Sequence, residues 1–290
     1  MSDPTDCRLN LDRAPSGPAH IKSLQERFRS ALYTRFRDIR GWLREHVGAE
    51  DGLGLSSPAD LTFSGAATRL SQFMDEAREV IERHLRQSLP PERVRQGHHY
   101  SGTYIRGTYQ RGGRFANRRL REEGYSLGEF SLATAGGSVV GVAGVGAAHQ
   151  AILRGRLQQT YYEISGMADD VERRVQRIST QAVEEGWSKR EAADRLTDAV
   201  DSVYETSGRQ TVRYETMRAF VLASLQQYKD SGIEAVEGVT EPQAEVLTAR
   251  DIHVCPECRA LGGNRYSVDK AREILPAHPG CRCVFIPVIT

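Results

Sequence analysis

The fold of this chain is decided near its end, by Asp251-Ile-His-Val-Cys255-Pro-Glu-Cys258 and by His278-Pro-Gly-Cys281-Arg-Cys283. Four of the five cysteines lie in these two stretches, and a nineteen-residue insert separates them. In each stretch two soft ligands stand three positions apart, which is typical of a tight turn that carries metal ligands. Two such turns supply four donors to one tetrahedral point, as a structural zinc ion requires.

The predicted ligands are the soft donors of the two turns: Cys255, Cys258, His278 and Cys281. Cys283 competes for the fourth position, because the alternation of a strand points it to the same side as Cys281. Asp251 and His253 also stand near enough in sequence to serve. Four or five soft ligands leave no open position on the metal, so a structural ion is favoured over a catalytic one. Disulfides and unpaired thiols are the alternatives.

Short apolar, β-branched stretches flank the two turns, at 244–249 and 283–289. If the insert folds back on itself, the turns come together and these stretches pair as strands beneath them. Pro287 cannot donate to a neighbouring strand, so it predicts an edge position. The sequence therefore predicts a small β zinc-binding module over 244–290.

Upstream of this module, apolar residues recur at spacings of three and four, which is typical of amphipathic helices. One stripe runs from Ile21 to Val47, and further stripes predict helices over 64–88, 151–185 and 208–232. Ser188-Lys-Arg-Glu191 is a capping box and predicts another helix, which runs to about Glu205. The predicted fold class is mainly α, with long amphipathic helices and a small C-terminal β zinc-binding module (α+β).

Composition limits the function classes less than the motifs do. The 290 residues carry 39 Lys and Arg against 38 Asp and Glu, so net charge does not indicate a nucleic-acid partner. The N-terminal stretch 1–20 is polar and proline-rich, without the apolar core of a signal peptide, and predicts a disordered arm. A chain that is not exported stays in a reducing compartment, which favours metal over disulfides. Cys7 stands apart, and we expect no role for it.

One local excess of positive charge covers 92–125, where arginines are interleaved with tyrosines and Phe115. Guanidinium groups neutralise phosphates and aromatic rings stack on bases, so the stretch could face DNA. A solvated helix face explains the same pattern equally well. The predicted DNA-binding residues are Arg106, Arg111, Arg114, Arg118, Arg119 and Arg121.

A glycine- and alanine-rich segment, 132–153, contains no Asp, Glu, Lys or Arg. Its length would suffice for a membrane span, but small side chains insert poorly into a bilayer. We therefore expect a close-packed helix or a loop and no membrane contact. A segment that enters a membrane is the alternative.

The motifs of the last forty residues resemble those of the phage Mu F-like head morphogenesis proteins, the minor capsid or minor head proteins of tailed viruses. The resemblance lies in Asp251, the Cys255-x2-Cys258 turn, Leu261-Gly-Gly263 with Tyr266, and Pro276-x-His278-Pro279-x-Cys281-Arg282-Cys283. Upstream, the Gly186-Trp-Ser188 helix start and the helix of Arg209 to Gly232 are similar to elements of the family. The resemblance covers about 150–290, whereas 1–150 is similar only in being helical and in Tyr104-x-Arg106-Gly107. The family often has Asp-Gly where this chain has Gly262-Gly263.

This resemblance implies a viral structural protein inside the head near the portal, which assists capsid assembly and DNA packaging or delivery. Its partners would be the portal protein, the major capsid protein, copies of itself and packaged double-stranded DNA. It would be found in the virion, in the capsid interior at the portal vertex, and in host cytoplasm during assembly. The implied division is an arm (1–20), a helical region (21–150) and a Mu F-like domain (151–290).

We expect no enzymatic activity. Some members of the family carry a toxin domain after the Cys-Arg-Cys element, whereas this sequence continues for seven residues beyond Cys283. The alternative function is a zinc-dependent nuclease or DNA-processing enzyme, in which Asp251, His253 or Glu257 would hold or activate a hydrolytic metal.

Overall fold

The computed structural model describes residues 17–56, 63–135, 138–141, 146–232, 242–249 and 251–289. Helices account for about 70% of the residues that the structure describes, and the C-terminal end carries a small three-stranded sheet. These features confirm the predicted class, a mainly helical protein with a small C-terminal β module.

The five predicted helices and the two predicted strands occur in the predicted order with sharper bounds, among further elements that were not predicted. The helices are α1 (Lys22–Leu43), α2 (Phe63–Ile81), α3 (Pro91–Arg95), α4 (Gly102–Glu122), α5 (Ala147–Glu185), α6 (Lys189–Val203), α7 (Arg209–Asp230), α8 (Pro256–Leu261) and α9 (Val268–Ile274). Helices α1, α2 and α6 continue into π-helical turns at Arg44–Ala49, Glu82–Arg86 and Tyr204–Gly208. The strands are β1 (Ala133–Ala135), β2 (Ser138–Gly141), β3 (Gln243–Leu247), β4 (Arg265–Ser267) and β5 (Val284–Pro287).

The chain divides into two compact units, each assembled from separated segments. One comprises Arg29–Pro90 and Tyr161–Arg209, and the other comprises Met1–Phe28, Pro91–Thr160 and Gln210–Thr290. The predicted division at residues 20 and 150 stays a prediction.

The first of these units is a helical body with a core of apolar stripes. The predicted stripe of α1 is buried there, because Phe36 and Ile39 are at most 1% exposed. Helix α6 begins as its capping box predicts: the Ser188 hydroxyl accepts from the Glu191 amide at 3.2 Å. Gly186, just before this cap, has a φ of +65°, a left-handed conformation that ends α5.

The second unit is built around α7, whose middle is buried on nearly all sides. Helix α4 approaches it closely at Gly112, where a Cβ atom would lie only 2.2 Å from the Phe220 carbonyl oxygen. Only glycine allows this approach of the two backbones. The same unit contains the start of α1, where the rings of Phe28 and Tyr104 stack with centroids 4.8 Å apart.

The C-terminal sheet has the strand order β4-β3-β5, and all its pairs are antiparallel. Pairing of Val246 with Phe285 confirms that the two predicted strands come together, and Pro287 ends the edge strand β5. Strand β4 and helices α8 and α9 fall within or beside the nineteen-residue insert and were not predicted. The sheet is fixed to α7, since the buried Tyr228 hydroxyl donates to the Phe285 carbonyl at 3.0 Å.

The glycine-rich segment contains an antiparallel hairpin of β1 and β2, which the sequence did not predict. Helix α5 then begins at Ala147. Within the described ranges, no helix has both the length and the apolar character that a membrane crossing needs.

The predicted N-terminal arm lies mostly outside the described residues, as does Cys7. Its last four residues are described: the His20 amide donates to the Gly17 carbonyl at 2.9 Å, and Ala19 is buried.

Candidate metal centre

The first ligand turn is the start of α8. Cys255 is the N-cap residue, Pro256 follows in the first turn, and the Cys258 amide donates to the Cys255 sulfur at 3.4 Å. Proline suits this position because its fixed φ is helical and it needs no acceptor. The predicted tight turn is thus present, and it contains an amide-to-sulfur hydrogen bond.

The second ligand turn precedes β5. The Cys281 amide donates to the His278 carbonyl at 2.9 Å, which closes the predicted turn. Cys283 follows two residues later, immediately before the strand, and its side chain is 2% exposed. The insert therefore brings two turns that are twenty residues apart to one end of the sheet.

Five donor atoms converge between these turns. The His278 Nε2 lies 3.2 Å from the Cys255 sulfur and 3.1 Å from the Cys258 sulfur, and the sulfurs of Cys258 and Cys281 lie 3.8 Å apart. Two overlapping triplets have ligand atoms within 4.8 Å of one another: Cys255, Cys258 and His278, and Cys258, Cys281 and Cys283. Cys258 belongs to both triplets.

The sulfur–sulfur separation matches an edge of a zinc tetrahedron, and the two nitrogen–sulfur separations are somewhat shorter than such an edge. Sulfur ligands at about 2.3 Å from zinc lie roughly 3.8 Å from each other, and a nitrogen ligand lies roughly 3.5 Å from each sulfur. The thiols are free, and the 3.8 Å between Cys258 and Cys281 far exceeds the ~2.05 Å of a disulfide bond. The donor set could hold a metal ion.

Hydrogen bonds among the thiols give them unequal proton affinities. The pKa of Cys281 lies well below its usual value, because the thiols of Cys258 and Cys283 hydrogen-bond to its sulfur. The pKa of Cys258 is raised, chiefly by its hydrogen bond to Cys281 and also by desolvation. One sulfur of the cluster thus carries negative charge readily, which is the form that binds a metal.

An ion pair joins two residues that stand beside the ligands in sequence, Asp251 and Arg282. The Arg282 guanidinium donates to both carboxylate oxygens of Asp251, at 2.6 Å each, and the Asp251 carboxylate also accepts from the His253 amide at 2.9 Å. The hydrogen bond with Arg282 is the main reason why the pKa of Asp251 is lowered. Sequence reasoning noted both residues but missed their pairing.

All five predicted metal-binding residues therefore lie in the cluster. Asp251 and His253, the two further candidates, belong to neither triplet. Glu257, proposed for a hydrolytic site, is exposed on α8. The sequence shows two opposite charges next to the ligand turns, thirty-one residues apart, and this was the only indication of the Asp251–Arg282 pair.

The six arginines predicted to bind DNA all lie on α4, and most of them contact their own chain. Main-chain carbonyls accept from four of them: Gly97 from Arg106, His20 from Arg111, Phe130 from Arg114 and Leu127 from Arg121. Arg119 is paired with Glu122 at 3.0 Å, and the guanidinium of Arg118 lies over the Phe115 ring. Exposed members stand at positions 114, 118 and 121, which share one helix face.

Fold and site together define a class: a mainly helical protein that carries a C-terminal β module with a partly buried cluster of thiols and one imidazole. Residues 173–286 match the model of the family described as Phage Mu protein F like protein. The match runs from within α5 into β5 and contains every residue of the candidate metal centre. It confirms the resemblance to the phage Mu F-like head morphogenesis proteins over that segment. No curated protein and no solved structure is detectably similar to the chain.

Proposed function

We propose that the protein is a minor head protein of a tailed phage, located inside the capsid near the portal, where it assists assembly and DNA packaging or delivery. The observation that carries the proposal is the family match over residues 173–286. The proposed partners are the portal protein, the major capsid protein, further copies of this chain and packaged double-stranded DNA. In this view the helices are docking surfaces, and the C-terminal module is a structural clasp.

The experiment is a phage genome with an early stop codon in this reading frame, complemented in trans by the wild-type protein. We expect particles made without complementation to lose infectivity or to change in protein composition, and complementation to restore both. Mass spectrometry of purified wild-type virions should detect the protein. Its absence from those virions, together with unchanged particles from the stop-codon genome, would refute the proposal.

We propose that the clasp holds one structural zinc ion. Cys255, Cys258 and Cys281 would supply three ligands, and His278 or Cys283 the fourth. Zinc bound in this way would tie the two turns together and leave no position open to a substrate. Native mass spectrometry should find one zinc ion per chain. His278→Ala and Cys283→Ser decide the fourth ligand, because only loss of a true ligand should strongly weaken binding.

The proposed contact with DNA is made by helix α4. It is supported by the exposed face of α4 at Arg114, Arg118 and Arg121. Arg118 is the most informative position, because its guanidinium lies over the Phe115 ring, whereas those of Arg114 and Arg121 donate to main-chain carbonyls. Charge reversal at Arg118 should weaken DNA binding. It should also reduce the slope of log affinity against log salt concentration by about one, the amount expected for one lost phosphate contact. Arg190→Glu, at a highly exposed arginine on α6, is the matched control. If the Arg118 variant binds DNA as tightly as the Arg190→Glu control, the α4 face contacts protein instead of DNA.

The structure offers little support for the alternative of a hydrolytic metal. Both oxygens of Asp251 accept from Arg282, so this carboxylate is already engaged. Metal-dependent DNA cleavage that disappears in Asp251→Ala would favour the nuclease, and we expect no such cleavage.

A further inference from the structure

We propose that Arg282 is a positioning residue of the metal centre: paired with Asp251, it holds the Cys281-Arg282-Cys283 segment against the Cys255–Cys258 turn. This inference rests on the proposed zinc site and assigns a role to two residues that bind no metal themselves. It predicts that the affinity for zinc depends on an ion pair outside the ligand set.

The geometry of the pair is that of a rigid clamp. Nη1 and Nη2 of Arg282 each donate to a different oxygen of Asp251 at 2.6 Å. The two side chains are only 17% and 22% exposed, so water screens the pair less than an ordinary surface pair. A bidentate arginine–carboxylate contact fixes orientation as well as distance.

The two residues of the pair belong to different halves of the donor set. Arg282 stands between two thiols of the cluster, and Asp251 stands four residues before Cys255. Apart from the metal ligands themselves, the pair is therefore a direct link between the two halves of the donor set. The His253 amide also donates to Asp251, which fixes the loop that leads into the first turn.

Arg282 is also packed against Gly17. A Cβ atom at Gly17 would lie 2.8 Å from the Arg282 Cβ and 3.0 Å from its carbonyl oxygen. Residue 17 must therefore be small for its backbone to pack against this part of the module. The contact restrains the backbone of Arg282, and the Asp251 carboxylate restrains its guanidinium.

Removing the clamp should weaken zinc binding without removing a ligand. With the clamp in place, the two turns are already near their ligand geometry before the metal binds. Without the clamp, part of the free energy of zinc binding is used to order the two turns. Loss of residues that orient metal ligands typically weakens metal affinity by roughly 10–100-fold. Lysine should rescue only in part, because an ammonium group cannot form the bidentate contact.

The test compares full-length wild-type protein with Arg282→Gln, Arg282→Lys and Asp251→Asn. Zinc affinity is measured by competition with a chromogenic chelator, and the ligand set is read from the absorption spectrum of the cobalt(II)-substituted protein. We expect roughly 10–100-fold weaker zinc binding for Arg282→Gln and Asp251→Asn, a smaller loss for Arg282→Lys, and tetrahedral thiolate spectra throughout. Arg265→Gln is the control, since it removes the 3.0 Å ion pair with Glu245 in the same sheet and away from the cluster.

The outcomes separate the two proposals. If the wild-type protein binds no zinc, the proposed metal site itself fails. If it binds zinc and the variants of Arg282 and Asp251 keep the wild-type affinity, the positioning role is refuted. An equal loss in Arg265→Gln also refutes it, because the effect would then be general loosening of the sheet. If Arg282→Gln does not fold, the near-isosteric Asp251→Asn variant decides.

Discussion

Substitution of Gly112 by alanine should destabilise the protein, although alanine is the better helix former. The new Cβ atom would lie 2.2 Å from the Phe220 carbonyl oxygen and 3.0 Å from the Ala223 Cβ. Helices α4 and α7 would have to separate by roughly 1 Å to restore ordinary contact. Overpacking of a core typically costs about 1–3 kcal/mol, and so close a backbone contact favours the upper end. The gain in helix propensity is about 1 kcal/mol, so we expect a net loss of about 2 kcal/mol.

Gly155→Ala is the matched control in the same unit. It makes the same chemical change within helix α5, where a Cβ atom would meet nothing within 4 Å. Only the propensity term applies there, so stability should rise by about 0.5–1 kcal/mol. The two variants should therefore differ by about 3 kcal/mol in the free energy of unfolding, measured by urea denaturation with far-UV circular dichroism. If Gly112→Ala is as stable as Gly155→Ala, the close approach of α4 and α7 is refuted.

Three further predictions concern the module and the core beside it. Tyr228→Phe removes the buried hydroxyl that donates to the Phe285 carbonyl at 3.0 Å, which should cost about 1–3 kcal/mol in urea denaturation. His149 is buried with its pKa lowered to about 4, mainly by desolvation, although Asp230 opposes the shift. Since its pKa is lower in the folded protein, its contribution to stability is full above about pH 6.5 and is lost as the pH falls towards 4. The wild-type protein should lose about 2 kcal/mol more than His149→Asn between about pH 7 and pH 5. Removal of zinc by a chelator should lower the unfolding temperature and abolish amide protection in the two ligand turns before it affects the helices, as hydrogen exchange would show.

Each of these expectations has a contradicting result. A Tyr228→Phe variant as stable as the wild type would mean that the hydroxyl does not help to fix the sheet. Identical pH dependence of the His149→Asn variant and the wild type would place the imidazole in contact with water. Uniform loss of amide protection on chelation would mean that the metal supports the whole protein and not only the clasp.

The sequence predicted the long helices because their signals are local. In α1 the apolar residues repeat at the helical period, and the predicted stripe is the buried one. The Ser188 cap is equally local, since its hydroxyl and the amide it binds are three residues apart. The ligand turns were predictable for the same reason: each is defined by two residues three positions apart and a proline between them.

What the sequence could not predict depends on distant partners. Strand β4 is three residues long and exists by pairing with β3, as between Glu245 and Arg265. A stretch so short carries no period of its own. The arginines of α4 show the same limit for the prediction of function. Their number indicated a DNA-binding surface, but the local sequence does not show that main-chain carbonyl oxygens accept hydrogen bonds from Arg106 and Arg111.

Because the sheet is anchored to α7, we expect a bound metal to stabilise mainly the ligand turns. Strands of five, three and four residues would be marginal alone. The module is fixed to α7 through Tyr228 and through the 2.8 Å ion pair of Lys229 with Asp269. These contacts need no metal, so the sheet should stay docked when zinc is removed. The ligand turns are held by the Asp251–Arg282 pair, by the packing of Gly17 against Arg282 and by the hydrogen bonds of the turns themselves. The metal and this ion pair should therefore stabilise the same small part of the protein, and removing both should unfold the turns while the strands remain paired.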